Sequence, residues 1–155
     1  MSEEKEIIIP LSTRHFLASV HLSPFTSPSF SEDYLESLQT TLVFDINNNG
    51  SCHVEKKGKC DVKIDVDITE KEFSALISLM HGGTVKTLGP YPLTGNFSQD
   101  RPLIHQFSDD LTLIVTGTSG IAHSRILFST QFTEKTPQGH QYKSEIWEID
   151  YDGEN

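Results

Sequence analysis

The chain has 155 residues and a formal net charge of −10, and with 35% hydrophobic residues and charges of both signs it is typical of a folded chain and not of a disordered one. The acidic balance argues against general nucleic-acid binding and against an anionic membrane surface, because both need clustered Lys and Arg. No apolar run approaches the roughly 18 residues of a transmembrane helix, and the length predicts one domain over residues 1–155.

The N-terminal residues and the cysteine count predict a cellular location. The first nine residues (MSEEKEIII) begin with acidic side chains and contain no apolar stretch of signal-peptide length. Cys52 and Cys60 are the two cysteines, too few for a disulfide framework. Together these features predict a cytoplasmic protein with two free thiols.

The first third of the chain predicts two strands, a loop and a short helix. Apolar residues alternate over 15–22, which favours a strand. The Ser- and Pro-rich residues 22–31 predict a long loop, and Ser31 is a suitable N-cap for a short helix over 31–38. Residues 42–46 (LVFDI) predict a second strand.

Residues 61–81 contain the clearest patterns. Val62, Ile64, Val66 and Ile68 alternate with polar residues and predict a half-buried strand. Thr69 and Glu72 then fit a capping box. The residues that follow have helical spacing and predict an amphipathic helix ending at Gly82 and Gly83, with a stripe of Phe73, Leu76, Ile77 and Met80.

Three further strands are predicted over 111–116, 124–132 and 142–151. The sequence therefore predicts an α+β fold, in which a mainly antiparallel β-sheet of six or seven strands carries one amphipathic helix on its inner face. A closed or partly closed β-barrel is the alternative.

The sequence contains partial matches to metal sites. Asp45 to Gly50 (DINNNG) matches the first half of a calcium loop, but Lys56 stands where such a loop needs a bidentate Glu. A turn between strands explains the segment better, since Asn and Gly adopt positive φ. Cys52, His53 and Cys60 lack the paired spacing of zinc ligands. No metal and no cofactor is predicted.

No catalytic residue is predicted either. None of the seven histidines occurs in a metalloprotease motif. Residues 117–120 (GTSG) lack the spacing of a nucleophile elbow and predict a turn between strands. The sequence therefore favours a protein that is not an enzyme.

The segment 87–105 is predicted to be a long loop because it holds three prolines, two glycines and weak periodicity. Long loops in compact domains are often functional. Tyr91, Phe97 and Arg101 are candidate partner-binding residues in it, because Tyr and Arg are frequent interface anchors. The alternative is an irregular cover over the core.

Acidic side chains line the polar faces of two predicted strands. After Lys143 the chain holds five acidic and no basic residues. Such rows are often simply solvated, but they can also bind a cationic surface. The candidate partner-binding residues in these rows are Asp65, Asp67, Glu148, Asp150 and Asp152.

These observations predict an acidic, non-enzymatic protein-binding module of inhibitor, immunity or adaptor type that binds a protein with a basic surface. The alternative is a small-ligand-binding or enzymatic barrel with an aromatic pocket that contains a histidine such as His105 or His123. A module stabilised by calcium or zinc is the third hypothesis.

Overall fold

A computed structural model of the protein describes residues 17–154. The predicted strand residues 15 and 16 and the acidic N-terminal residues lie outside this range. Two helices and seven strands form: β1 (Ala18–Leu22), α1 (Glu32–Asn48), β2 (Cys52–Val54), β3 (Val62–Ile68), β4 (Glu72–Leu79), β5 (Thr84–Pro92), α2 (Phe97–Thr116), β6 (Arg125–Thr136) and β7 (Gly139–Asp150).

The predicted α+β class is confirmed, but the sheet is only partly antiparallel. Five strands form one sheet in the order β2-β1-β3-β4-β5, in which β1 is parallel to both of its neighbours. The β3–β4 and β4–β5 pairs are antiparallel. Strands β6 and β7 form a separate two-stranded sheet, so the β-barrel alternative is wrong. The single domain over residues 1–155 stays a prediction.

The core lies between the five-stranded sheet and the two helices. Fully buried side chains project from the sheet and from both helices into this layer, where Phe73 of β4 meets Phe107 of α2 edge-on with ring centroids 4.8 Å apart. Apolar burial of this kind is the main force holding the layers together. The other fully buried apolar residues of this layer are Val20, Leu38, Leu42, Ile46, Ile64, Ile77, Ile104 and Leu111.

Helix α1 begins where the sequence predicts a short helix but continues to Asn48. Ser31 is the N-cap, and its side chain accepts a hydrogen bond from the Tyr34 backbone N–H at 3.3 Å. The predicted strand over 42–46 is wrong, because Leu38, Leu42 and Ile46 repeat every four residues and bury one helical face.

The segment from Asp45 to Gly50 is the end of α1 and the turn that follows it. Asp45 is fully buried inside the fold, so it does not present an oxygen to a surface calcium loop. The turn is held by the Asn49 side chain, which accepts hydrogen bonds from the Ser51 and Cys52 backbone N–H groups at 2.8 and 2.9 Å.

The helix predicted over 69–81 is wrong, because these residues form a turn and strand β4. Thr69, the predicted N-cap, instead closes the β3–β4 turn by donating its backbone N–H to the Glu72 carbonyl at 3.0 Å. Phe73 and Ile77 fit either a helical stripe or strand alternation, and both are buried. Strand β3 provides backbone partners along the whole of β4, which decides between the two patterns.

The loop predicted over 87–105 and the strand predicted over 111–116 are also wrong. Residues 97–116 form α2, with Asn96 as N-cap and Gly117 as left-handed C-cap. The buried residues Ile104, Phe107 and Leu111 have helical spacing. The three prolines of the segment 87–105 disfavour a helix in the sequence pattern. Of these, Pro102 lies inside α2, where it is exposed and accommodated.

The strands predicted over 124–132 and 142–151 are confirmed as the hairpin β6–β7. The apolar/polar alternation predicts that the apolar face of each of these strands points into the core. The structure instead leaves nearly the whole hairpin exposed, and Trp147 retains 52% of its accessible surface. Within residues 17–154, neither helix is long and apolar enough to span a membrane.

Candidate functional site

The β6–β7 hairpin carries the largest group of exposed apolar side chains in the described part of the chain. Leu127 is 69% exposed, Ile146 80% and Tyr142 82%. A group of exposed apolar side chains of this kind often marks a contact with another protein surface. We call the whole group the hairpin surface; it comprises Ile126, Leu127, Phe128, Phe132, Tyr142, Ile146 and Trp147.

Both faces of the hairpin take part in this surface. Phe128 lies directly opposite Trp147 on one face, whereas Leu127 and Ile146 lie on the other. A two-stranded hairpin is only marginally stable by itself in water. The arrangement therefore suits a hairpin whose two faces are both covered by other protein surface in the functional protein.

Ion pairs neutralise part of the acidic row on this hairpin. Arg125 Nη1 lies 2.9 Å from Glu148 Oε1, and Arg125 Nε lies 3.6 Å from Asp150 Oδ1. The hydrogen bond to Glu148 raises the pKa of the Arg125 guanidinium. Lys143 pairs with Glu134 across the strands. The row is consequently not a purely anionic face.

A cluster of charged side chains lies where the hairpin meets the two helices. We call this cluster the junction and define it as Asp45, Arg101, His105, Asp150 and Asp152. Arg101 is 5% exposed, and its Nε donates to Asp152 Oδ2 at 2.9 Å while its Nη1 donates to Asp150 Oδ2 at 3.3 Å. Its Nη2 also contacts Asp152, which makes the pair bidentate.

His105 connects α1 to the segment after β7. Its Nδ1 lies 2.7 Å from Asp45 Oδ2, and its Nε2 lies 3.3 Å from Asp152 Oδ2. Burial raises the pKa of Asp45 in spite of the hydrogen bond from His105. Burial is the largest single effect on the pKa of Asp152 and would raise it, but the hydrogen bonds from Arg101 and from the Glu154 N–H, together with the charge of Arg101, hold that pKa below its ordinary value.

Further hydrogen bonds and a ring contact reinforce the junction. The Tyr151 hydroxyl donates to the Asn48 carbonyl at 2.7 Å, and the Tyr151 ring packs edge-on against Phe44. The Asp109 carboxylate accepts from the backbone N–H groups of Ala122 and His123 at 2.7 and 3.2 Å. Both helices therefore hold the base of the hairpin.

A cleft of about 360 Å³ opens beside the junction, lined by Pro102, His105, Ala122, His123, Ser124, Arg125, Glu148 and Asp150. It brings together His105 and His123, the histidines of the barrel alternative. No aromatic side chain is among its lining residues. The aromatic pocket expected for that alternative is not formed there.

The three candidate anchors from segment 87–105 do not share one loop surface. Tyr91 is half-buried, donates its hydroxyl to Asp110 Oδ2 at 2.5 Å and packs against Phe73 and Phe107. Phe97 is half-buried in the first turn of α2, and Arg101 is buried in the junction. Their placement resembles the predicted cover over the core more than an exposed binding loop.

The two acidic rows lie in different sheets. Asp65 and Asp67 are on β3, where Asp65 pairs with Lys63 at 2.8 Å and Asp67 is exposed. Glu148 and Asp150 belong to the hairpin. Because the rows are separated and partly paired with cations, they do not form one anionic wall.

A serine, an aspartate and a histidine also meet near β1. The Asp61 carboxylate accepts from Ser19 Oγ at 2.8 Å and lies 2.9 Å from His81 Nε2. The aspartate is central here, whereas nucleophilic catalysis needs the histidine between the other two. Across residues 17–154, no three His, Cys, Asp or Glu side chains are placed to hold a metal ion.

Sequence patterns did not point to the buried acids Asp45, Asp100 and Asp109. Asp45 follows Leu38 and Leu42 on one helical face, and Asp109 lies between the buried residues of α2. Helical spacing could have placed these acids on buried faces. The sequence instead predicts strand or loop at these positions, which leaves the buried acids unassigned.

The chain is similar to TolB homologues. The alignment with the TolB homologue of Protochlamydia amoebophila is 33% identical over 182 residues, and it covers 99% of this chain and 38% of that protein. It is 27% identical over 161 residues to the homologue of Chlamydia pneumoniae, with 99% and 36% covered. The chain thus spans little more than a third of the length of these relatives. No family profile matches it.

The fold is also shared with a solved structure. The crystal structure of TolB from Acinetobacter baumannii superposes with a TM-score of 0.55 and 17% sequence identity, covering 90% of this chain and 37% of that one. This likeness supports the α+β arrangement of two helices and mixed sheets.

The predicted cytoplasmic location is wrong. TolB homologues are periplasmic envelope proteins. Cys52 and Cys60 are free, as predicted, and burial raises the pKa of the Cys52 thiol. The free Cys52 thiol does not identify a reducing compartment, because a buried thiol with a raised pKa is unreactive in either compartment.

Proposed function

We propose that this chain is part of a TolB-like protein of the cell envelope and acts there as a non-enzymatic protein-binding module. The observation that carries the proposal is the similarity to a TolB homologue across 99% of the chain. TolB homologues are protein-binding components of the periplasm, which agrees with the binding function predicted from the sequence. They give no support to an inhibitor or immunity function.

The binding contact in this proposal is the hairpin surface. It offers exposed apolar side chains on both faces, and it is fixed to the two helices by the buried junction. Apolar and aromatic side chains, Trp and Tyr among them, are the ones that contribute most to protein interfaces. The α/β layer would then position the hairpin.

The predicted partner with a basic surface is retained as part of the proposal. The net charge of −10 favours such a partner, and Asp67 and Glu148 are exposed enough to contact it. The remaining predicted residues, such as Arg101 and Asp152, would act indirectly by holding the hairpin in place.

Site-specific photo-crosslinking in cells of the native host tests this proposal. A benzoylphenylalanine at Tyr142, on the hairpin surface, is expected to form adducts with an envelope protein. The matched control is the same probe at Gln106, an exposed position on α2. Equal adducts at both positions, or adducts with cytoplasmic proteins alone, would contradict the proposal.

A further inference from the structure

Strands β6 and β7 pair only with each other within residues 17–154, so each has one outer edge without a neighbouring strand. The Tyr151 N–H donates to the Ser124 carbonyl at 3.2 Å and continues the β6–β7 ladder beyond the two strands. Backbone groups alternate in direction along a strand. The odd-numbered residues of β6, from Arg125 to Lys135, therefore direct their N–H and C=O groups towards the outer edge.

The two edges of the five-stranded sheet are protected against pairing with another chain. Strand β2, at one edge, is only three residues long. Strand β5, at the other edge, contains Pro90 and Pro92, and its pairing with β4 includes a register shift. Short strands, prolines and irregular pairing are common means of preventing the addition of a foreign strand.

The outer edge of β6 has none of these protections over most of its length. Residues 126–133 (ILFSTQFT) contain no charged residue, no proline and no glycine, and they pair regularly with β7. Strand β7 is better protected, because it carries Lys143, Glu145 and Glu148. A long, regular and uncharged strand edge favours the addition of a further strand.

Both faces of β6 offer exposed apolar side chains to such a strand. Phe128 lies on one face and Leu127 on the other. A strand added about 4.8 Å away would place its own side chains beside these residues on both faces. It would also convert a two-stranded hairpin, which is marginally stable in water, into a three-stranded sheet.

We propose that the partner of the hairpin surface contributes an extended segment that pairs with the outer edge of β6 along residues 126–133. Backbone hydrogen bonds give this mode of binding its affinity, and the side chains on the two faces give it specificity. The segment is expected to carry β-branched or aromatic residues on both faces. This inference rests on the proposed function, because it specifies how the partner binds.

The net charge favours a different polypeptide over a second copy of this chain. Two molecules that each carry a charge of −10 repel each other, whereas a basic partner is attracted. The occupant of the β6 edge is therefore an extended segment of a less acidic protein, in agreement with the basic partner proposed above.

Benzoylphenylalanine placed separately at four exposed positions distinguishes strand addition from docking on one face. Leu127 and Phe128 lie on opposite faces of β6, and Ile146 and Trp147 lie on opposite faces of β7. In cells of the native host, strand addition is expected to give adducts from both β6 positions, each stronger than those from β7. Docking on one face is expected to give adducts from Leu127 with Ile146, or from Phe128 with Trp147.

Proline at the two outer edges provides a matched pair of variants. Ser129 of β6 and Ser144 of β7 both direct their N–H groups outwards, so proline at either position removes no N–H from the β6–β7 ladder. Ser129→Pro is expected to abolish the adducts from the probe at Phe128, whereas Ser144→Pro is expected to keep them. Amide chemical shifts of the hairpin show whether it remains paired in each variant.

The outcomes separate this inference from the proposed function. Adducts from one face of both strands, or equal effects of the two prolines in paired hairpins, would overturn strand addition and leave the protein-binding function in place. Adducts only with a second copy of this chain would overturn the choice of occupant. Absence of adducts from all four positions and from Tyr142 would contradict the proposed function and this inference together. The four-position scan contains no proline and decides the question even if a proline variant does not fold.

Discussion

Single buried side chains join the two helices and the loop before α2, and Asp100 is the clearest example. Its carboxylate is fully buried and accepts from the Thr94 N–H and hydroxyl at 3.0 and 2.9 Å and from the Gly95 N–H at 2.9 Å. It also accepts from the Tyr34 hydroxyl of α1 at 2.6 Å. Burial and the bond to Asp100 raise the pKa of Tyr34, so this hydroxyl stays a donor.

Asp100→Asn is expected to lower the free energy of unfolding by about 2–4 kcal/mol, because an amide cannot accept all of these bonds at once. Tyr34→Phe is expected to cost about 1–2 kcal/mol, since it removes one donor. Urea unfolding measures both. Asp67→Asn, at an exposed acid, is the control, and an Asp100→Asn variant no less stable than that control would refute the prediction.

At the scale of elements, the turn after α2 determines how the hairpin leaves the helix. Gly117 ends α2 with φ +78°, and a side chain there would meet open space. Gly120 packs against α2 so closely that an added Cβ would lie 2.8 Å from the Asp109 Cα. The two glycines are therefore required for different reasons.

Gly120→Ala is expected to displace the turn and break the hydrogen bonds from Ala122 and His123 to Asp109, at a cost of about 1–3 kcal/mol. Gly117→Ala is expected to cost about 1 kcal/mol through backbone strain and to leave those bonds intact. Amide chemical shifts and thermal unfolding separate the two effects. Intact Ala122 and His123 shifts in the Gly120→Ala variant would show the prediction to be wrong.

At the scale of the whole molecule, a well-packed α/β layer supports an exposed apolar hairpin. The layer buries most of its large apolar residues, whereas the hairpin leaves Leu127 and Ile146 largely accessible. Such surface associates unless another surface covers it.

The double substitution Leu127→Thr and Ile146→Thr is expected to reduce self-association of the isolated chain. Threonine keeps the preference for strands while removing apolar area, so the unfolding midpoint is expected to change little. Sedimentation velocity at increasing concentration measures the association. The control is Val85→Thr on β5, also exposed but distant from the hairpin; an equal reduction in that variant would count against the hairpin as the associating surface.

Part of this fold could be predicted from local patterns. Strand β3 and both hairpin strands were found because apolar residues alternate along them, and the start of α1 because Ser31 caps it. The apolar residues of strand β4 satisfy both spacings and so also predict a helix, and Pro102 inside α2 weakens the helical prediction there. For β4 the neighbouring strand β3, not the local pattern, decided the structure.

The sequence by itself determined the α+β class, the strands with clean alternation and the acidic character of the chain. Only the tertiary structure decided that Trp147 is exposed and that Asp45, Arg101 and His105 meet in a buried junction. The physical reason is that alternation is local, whereas burial depends on which surfaces are brought together across the fold. A charge can be buried only where distant residues supply its partner, and those partners lie up to 60 positions apart in this chain.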